Sequence, residues 1–196
     1  EKHRADAAYT VTLAIDRRIE QLIAQKKMES RAHPQQTKDG KALEGGPGPA
    51  PIPDIVMDGV KARDLFATIV PKSERVPTVW YFAAEWFYKY KNFDEARRRF
   101  EMIATQHPTT VEAENSAKLI IESYRLVGNW GAGEEWARKL LAMQVSRGGG
   151  RKDLGKDLQV FYLGAKFKGG EELEKQGRFD DAAKKSLVEE ATMVAE

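Results

Sequence analysis

Cysteine is absent from the 196 residues. No disulfide or thiolate metal site can form, and the chain carries no redox clue to its compartment. Histidine is scarce: His3, His33 and His107 stand far apart, at a terminus, in a loop and at a helix end. No HExxH, GxSxG or clustered acidic metal motif appears. No apolar run approaches the about 18 residues of a membrane span. A strong charge of one sign is missing too. The 32 Lys and Arg meet 30 Asp and Glu, leaving a net +2, which gives no bulk field to attract nucleic acid or anionic lipid. These absences predict no catalytic residue, no metal, no cofactor and no direct membrane span. The chain opens on Glu1 rather than Met, as expected of a trimmed or processed product, in which a lost signal peptide or lipid anchor would leave no trace.

What is present is helical periodicity. Between Trp80 and Pro108, one apolar stripe holds Trp80, Ala83, Ala84, Phe87 and Tyr90. A second holds Phe93, Ala96, Phe100 and Ile103. Each recurs at about 3.6 residues and falls on one helix face. Only Lys91-Asn92 separates the stripes, so the two helices must fold back on each other. Ala84 and Ala96 are small where two axes approach closely, and Pro108 stops the second helix.

These residues resemble a tetratricopeptide repeat (TPR), a helix–turn–helix unit of about 34 residues. Trp80, Phe87, Phe93 and Phe100 take the family's aromatic positions. Ala84 and Ala96 take its small positions and Pro108 its closing proline. Two residues depart from the pattern. Ile103 replaces a usual alanine and asks for slightly looser packing. Lys91 replaces a common glycine and predicts a less tight corner.

The rest of the chain extends the pattern. Residues 4–28 read as one long helix with Ala8, Val11 or Thr12, Ile15, Ile19 and Leu22 on one stripe. Residues 31–53 carry Gly and Pro every few positions and no apolar period. They predict a flexible, disordered insertion with a polyproline-like end. Residues 56–70 read as the second helix of that first pair, before Pro71. Pro71 to Pro108, and Lys91 to Gly128, are each steps of 37 residues. Residues 111–143 form a third pair around Gly128-Asn129-Trp130, with Gly133 where the family has alanine. The glycine-rich stretch 146–153 reads as a flexible joint and lacks P-loop spacing. Residues 156–195 form a fourth pair with a Gly177-Arg178-Phe179 corner, Ala182 at the small position and Leu187 and Met193 inside. The expected fold is therefore all-α: a single domain of about four helix pairs, stacked as a TPR-like solenoid.

Polar features read as surface. Asp94, Glu95 and Glu101 bracket Arg97-Arg98-Arg99, which predicts a solvated face more than a nucleic-acid contact. Glu171-Glu172 and Asp180-Asp181 are expected in water. His107 is expected to end its helix. In the TPR family, exposed positions of each first helix line a concave ligand surface. The resemblance assigns that role to Tyr81, Glu85, Tyr88 and Lys89, then to Asn115, Lys118, Glu122 and Arg125, and last to Phe167, Glu171 and Glu174. An exposed Tyr81/Tyr88 pair beside mixed charge suits a protein or peptide partner. The family's carboxylate clamp needs lysine and asparagine where Tyr81 and Glu85 stand, which argues against that mechanism.

The expectation is a non-enzymatic interaction scaffold within a multiprotein complex. The 37-residue steps, the long insertion and the His107-to-Ala113 linker resemble TPR proteins of bacterial envelope machines, namely outer-membrane-assembly lipoproteins and myxobacterial gliding-motility proteins. That resemblance implies the periplasm or an outer-membrane-attached site; a cytoplasmic site is the alternative. Two other functional readings are a helical-repeat nucleic-acid binder, whose affinity would fall steeply with salt, and an accessory domain of an enzyme complex.

Overall fold

The computed structural model describes residues 2–39, 43–46, 48–143 and 154–184. Over these residues the chain is helical, with one isolated antiparallel bridge between Gln36 and Leu43. The helices are α1 (Lys2–Ala24), α2 (Asp54–Ile69), α3 (Val76–Lys89), α4 (Phe93–Gln106), α5 (Val111–Leu126), α6 (Trp130–Ala142) and α7 (Leu154–Lys175). A further helical segment covers 179–184. Among the described residues, no helix is long and apolar enough to cross a membrane.

Each helix from α1 to α7 packs on the next; residues 144–153, between α6 and α7, lie outside the described residues. The alternate helices α3, α5 and α7 also touch in sequence. The small residues allow this close stacking. Ala83, Ala84 and Ala96 are fully buried where α3 meets α4, and Ala113 and Ala117 are fully buried on α5. Phe100 and Ile103 fill the space between at 0% exposure. Ile103 is thus fully packed where looser packing is expected. Thr12, not Val11, is the buried member of the α1 stripe; Val11 stands half in water. The first helix stops at Ala24, short of residue 28, because Lys26 turns to a φ of 56°.

The corners repeat one backbone device. Lys91, Gly128 and Gly177 all have positive φ, at 58°, 68° and 74°. A left-handed residue here ends one helix and starts the next. Lysine does not loosen the corner, contrary to expectation. The Lys91 ammonium donates to the backbone carbonyls of Glu44 and Gly46, and these bonds offset the left-handed cost of about 1–2 kcal/mol. After the corners, Asn129 caps α6 by accepting from the Ala132 amide, as Thr110 caps α5 from Ala113. His107 does end α4, and its ring packs edge-on against Trp80. Gly133 has its own reason: a Cβ there would sit 3.1 Å from the Phe161 ring and 3.2 Å from the Tyr124 Cβ.

The arginine run is only partly a solvated face. Arg98 points outward to Glu95. Arg97 lies over the Tyr124 ring at 4.1 Å and donates to Ser123 Oγ at 2.9 Å, joining α4 to α5. Arg99 makes a two-pronged bond with Asp64 at 2.8 and 2.9 Å, joining α4 to α2. The stretch 97–99 wraps the helix, so two of its three side chains fall over neighbouring helices. A comparable tie links the first pair: buried Arg63 of α2 grips both Asp16 oxygens of α1 at 2.6 and 2.7 Å.

The fourth pair departs most. Phe179 is 67% exposed, although Ala182 is buried. Five residues before Phe93 stands Tyr88, whose ring meets it at 5.3 Å. Five residues before Phe179 stands Glu174, an exposed carboxylate that offers no ring to pack on. The joint at 146–153 and the interior positions Leu187 and Met193 lie outside the described residues.

Candidate functional site

The expected ligand surface lies on α3 and α5. The structure brings its members together, but a segment expected to be flexible lies across them. Residues 31–36, leaving the end of α1, run over this surface as a strap. His33 Nε2 stands 2.8 Å from Glu85 Oε1. Glu85 accepts only, so the ring nitrogen donates. The His33 ring also meets Tyr88 edge-on at 5.2 Å. Three residues on, Gln36 Oε1 accepts from Arg125 Nη1 at 3.2 Å. Arg31 stacks over Tyr90 at 4.9 Å. The return limb is tied down by Lys91, by the Ala50 amide donating to the Tyr90 carbonyl at 2.8 Å, and by Leu43, which is 4% exposed within the core. The expected disorder is thus supported in part: the described residues 31–39 and 43–46 hold no helix and only one isolated bridge, but Arg31, His33, Gln36 and Leu43 make defined contacts. No apolar period announces them, because side-chain hydrogen bonds and one leucine supply the anchoring.

Tyr88 is corrected accordingly. It is not an exposed contact ring but 1% exposed, closed in by His33, Phe93 and Phe100. Burial, then the charge of Glu122, pushes its phenol far up. Tyr81 is half-buried against Phe100 and Phe82. Burial first, then Glu85 and Glu112, push its phenol up to about 12. Glu85 is half-buried, and burial alone would raise its carboxyl. The His33 hydrogen bond and the Lys89 charge together outweigh burial and hold the carboxyl below its ordinary value. Lys89 donates to the other Glu85 oxygen at 3.1 Å and lies over Trp86.

On α5, Glu122 and Arg125 pair with each other, the Arg125 Nε donating at 2.7 Å. Lys118 reaches Asp157 of α7 at 3.2 Å, and Asn115 is half-buried. On α7, Phe167 is exposed, Glu171 pairs with Lys168 at 2.7 Å, and Glu174 lies in water. The α7 group is not joined to the others by any contact described above.

Beside the strap, α1 and α3 leave an open cleft of ≈ 310 Å³. Ile19, Ile23 and Trp86 form its apolar floor, and Phe82 stands on it 45% exposed. Its rim carries the Asp16–Arg63 and Glu85–Lys89 pairs. Phe82 escapes the sequence reading because it lies outside the core stripe and outside the family's ligand positions. The chemistry available is apolar contact framed by paired charge. Compared with family models, curated proteins and solved structures, the chain finds no match in any of the three.

Proposed function

We propose that the chain is a TPR-like interaction scaffold without catalytic activity, which holds a protein or peptide partner on the face shared by α1, α3 and α5. One observation carries this reading: a large aromatic ring, Phe82, stands exposed in an apolar cleft rimmed by charge pairs. Exposed rings in such settings are the usual anchors of protein contacts. The TPR-like character is supported by the burial of Ala84, Ala96 and Phe100 and by the recurring left-handed corner. Membership of a bacterial envelope or motility complex belongs to the same proposal and is supported only by the resemblance of the 37-residue steps, the insertion and the linker.

The test is capture of partners from the native host by wild-type chain and by Phe82→Asp, with circular dichroism to establish equal helicity. Phe82 is half in water, so the substitution should leave the fold intact. The expected outcome is a distinct co-purifying protein lost with Phe82→Asp. An identical capture profile for both chains would reject the cleft as the contact. Retained nucleic acid, released steeply by salt, would favour the RNA-binding reading instead.

A further inference from the structure

We propose that residues 31–36 are an intramolecular ligand. They fill the α3–α5 part of the partner face, and an extended partner peptide carrying a ring donor and, three residues later, a side-chain amide displaces them. This rests on the partner face proposed above and deepens it by naming the chemistry of the occupant.

The geometry matches a strand of peptide read by two helices. An extended chain advances about 3.3 Å per residue. His33 and Gln36 are therefore about 10 Å apart along the strap, close to the 8–10 Å between packed helix axes. One side chain meets each helix: His33 meets Glu85 and Tyr88 on α3, and Gln36 meets Arg125 on α5. These are residues that the family resemblance assigns to ligand contact, and here the chain's own segment engages them. The bonds tying 31–36 to the helices run through side chains. The return limb, by contrast, holds through Leu43 and backbone bonds. The outer limb is also joined to the return limb, the Glu44 amide donating to the Gln35 carbonyl at 3.0 Å beside the Gln36–Leu43 bridge, so displacement opens this bond while Leu43 stays in the core. The residues vacated are an acid with a tyrosine face and an arginine, which together select a donor ring followed by an amide. Displacement carries a conformational cost. A partner's apparent affinity falls by the fraction of molecules in which the strap is open.

The test uses a fluorescently labelled peptide, Glu-Ser-Arg-Ala-His-Pro-Gln-Gln-Thr-Lys, copied from residues 29–38. Its anisotropy is titrated with full-length wild-type chain, with His33→Ala/Gln36→Ala, and with that double variant carrying Glu85→Gln. Loss of one charged hydrogen bond corresponds to about tenfold in an equilibrium. The double variant loses two such bonds, to Glu85 and to Arg125, and should therefore bind the peptide about a hundredfold more tightly than wild type. Glu85→Gln should remove about tenfold of that gain, as should replacing the peptide's histidine by alanine. Equal binding by wild type and double variant overturns the proposal, and so does no binding by either. A double variant that loses helicity overturns it as well, since the strap would then be part of the fold. Failure here with continued loss of capture in Phe82→Asp rejects the strap as ligand but leaves the partner face standing. Loss of both rejects the face itself.

Discussion

Single residues at the corners carry more than their size suggests. Gly128 sits at a φ of 68° with open space around a would-be Cβ, so only backbone conformation is at stake there. Gly128→Ala should cost about 1 kcal/mol, from the left-handed penalty. Chemical denaturation would measure it as a lower midpoint with an unchanged slope. An equal or higher midpoint would mean that the corner relaxes. Lys91 shows why residue type alone misleads at this scale. Lysine in a glycine position predicts a loose corner, yet the corner is kept because two distant carbonyls reward the conformation. Those carbonyls belong to Glu44 and Gly46, in a stretch whose composition gives no periodic signal. Tyr88 teaches the same lesson. Its helical phase places it off the core stripe, yet it lies in the core. Phe93 and Phe100 of α4 cover one side of it, and His33, 55 positions away in a segment without period, closes the other.

Elements were the most legible scale, because apolar spacing determines helix faces directly. Burial of Ala84, Phe87, Ala96, Phe100, Ala117 and Leu140 follows from their phase. Ties between helices are less legible, since a charge on a helix flank looks solvated until its partner helix is known. Arg63 illustrates this: it is 3% exposed inside an otherwise apolar contact, held by Asp16 and by the Gly59 carbonyl. Gly59 makes room for it, as an added Cβ would meet both the Arg63 guanidinium and Ile15 at 3.2 Å. Asp16→Ala should destabilise the protein by about 1.5–3 kcal/mol, the range for hydrogen bonds to charged groups, because it strands a buried guanidinium. Asp16→Asn should recover part of the loss by still accepting one bond. Thermal melts of the three proteins would check this, and an unchanged Asp16→Ala would mean that water replaces the carboxylate.

At the scale of the whole molecule, buried phenols link the fold to alkaline pH. The Tyr81 and Tyr88 phenols are raised in the folded state, the first to about 12. An unfolded tyrosine loses its proton near pH 10. The folded state therefore binds more protons above that point, and stability falls as pH rises. The stability these phenols supply is complete below about pH 10 and is lost as pH climbs from there through 12. Circular dichroism and phenolate absorbance followed together should show helix loss accompanying the last tyrosines to ionise. Six tyrosines titrating near pH 10 with the helices intact would contradict the burial described.

The Gln36–Arg125 contact joins positions 89 apart in sequence, whereas the helices otherwise meet mainly their nearest neighbours. A chain of nearest neighbours can peel from one end, pair by pair. The clasp between Gln36 and Arg125 adds one link that skips from the segment after α1 to the third pair. Releasing that clasp removes the link between the segment after α1 and the third pair, and leaves the first pair held by its own α1–α2 packing and the Arg63–Asp16 tie.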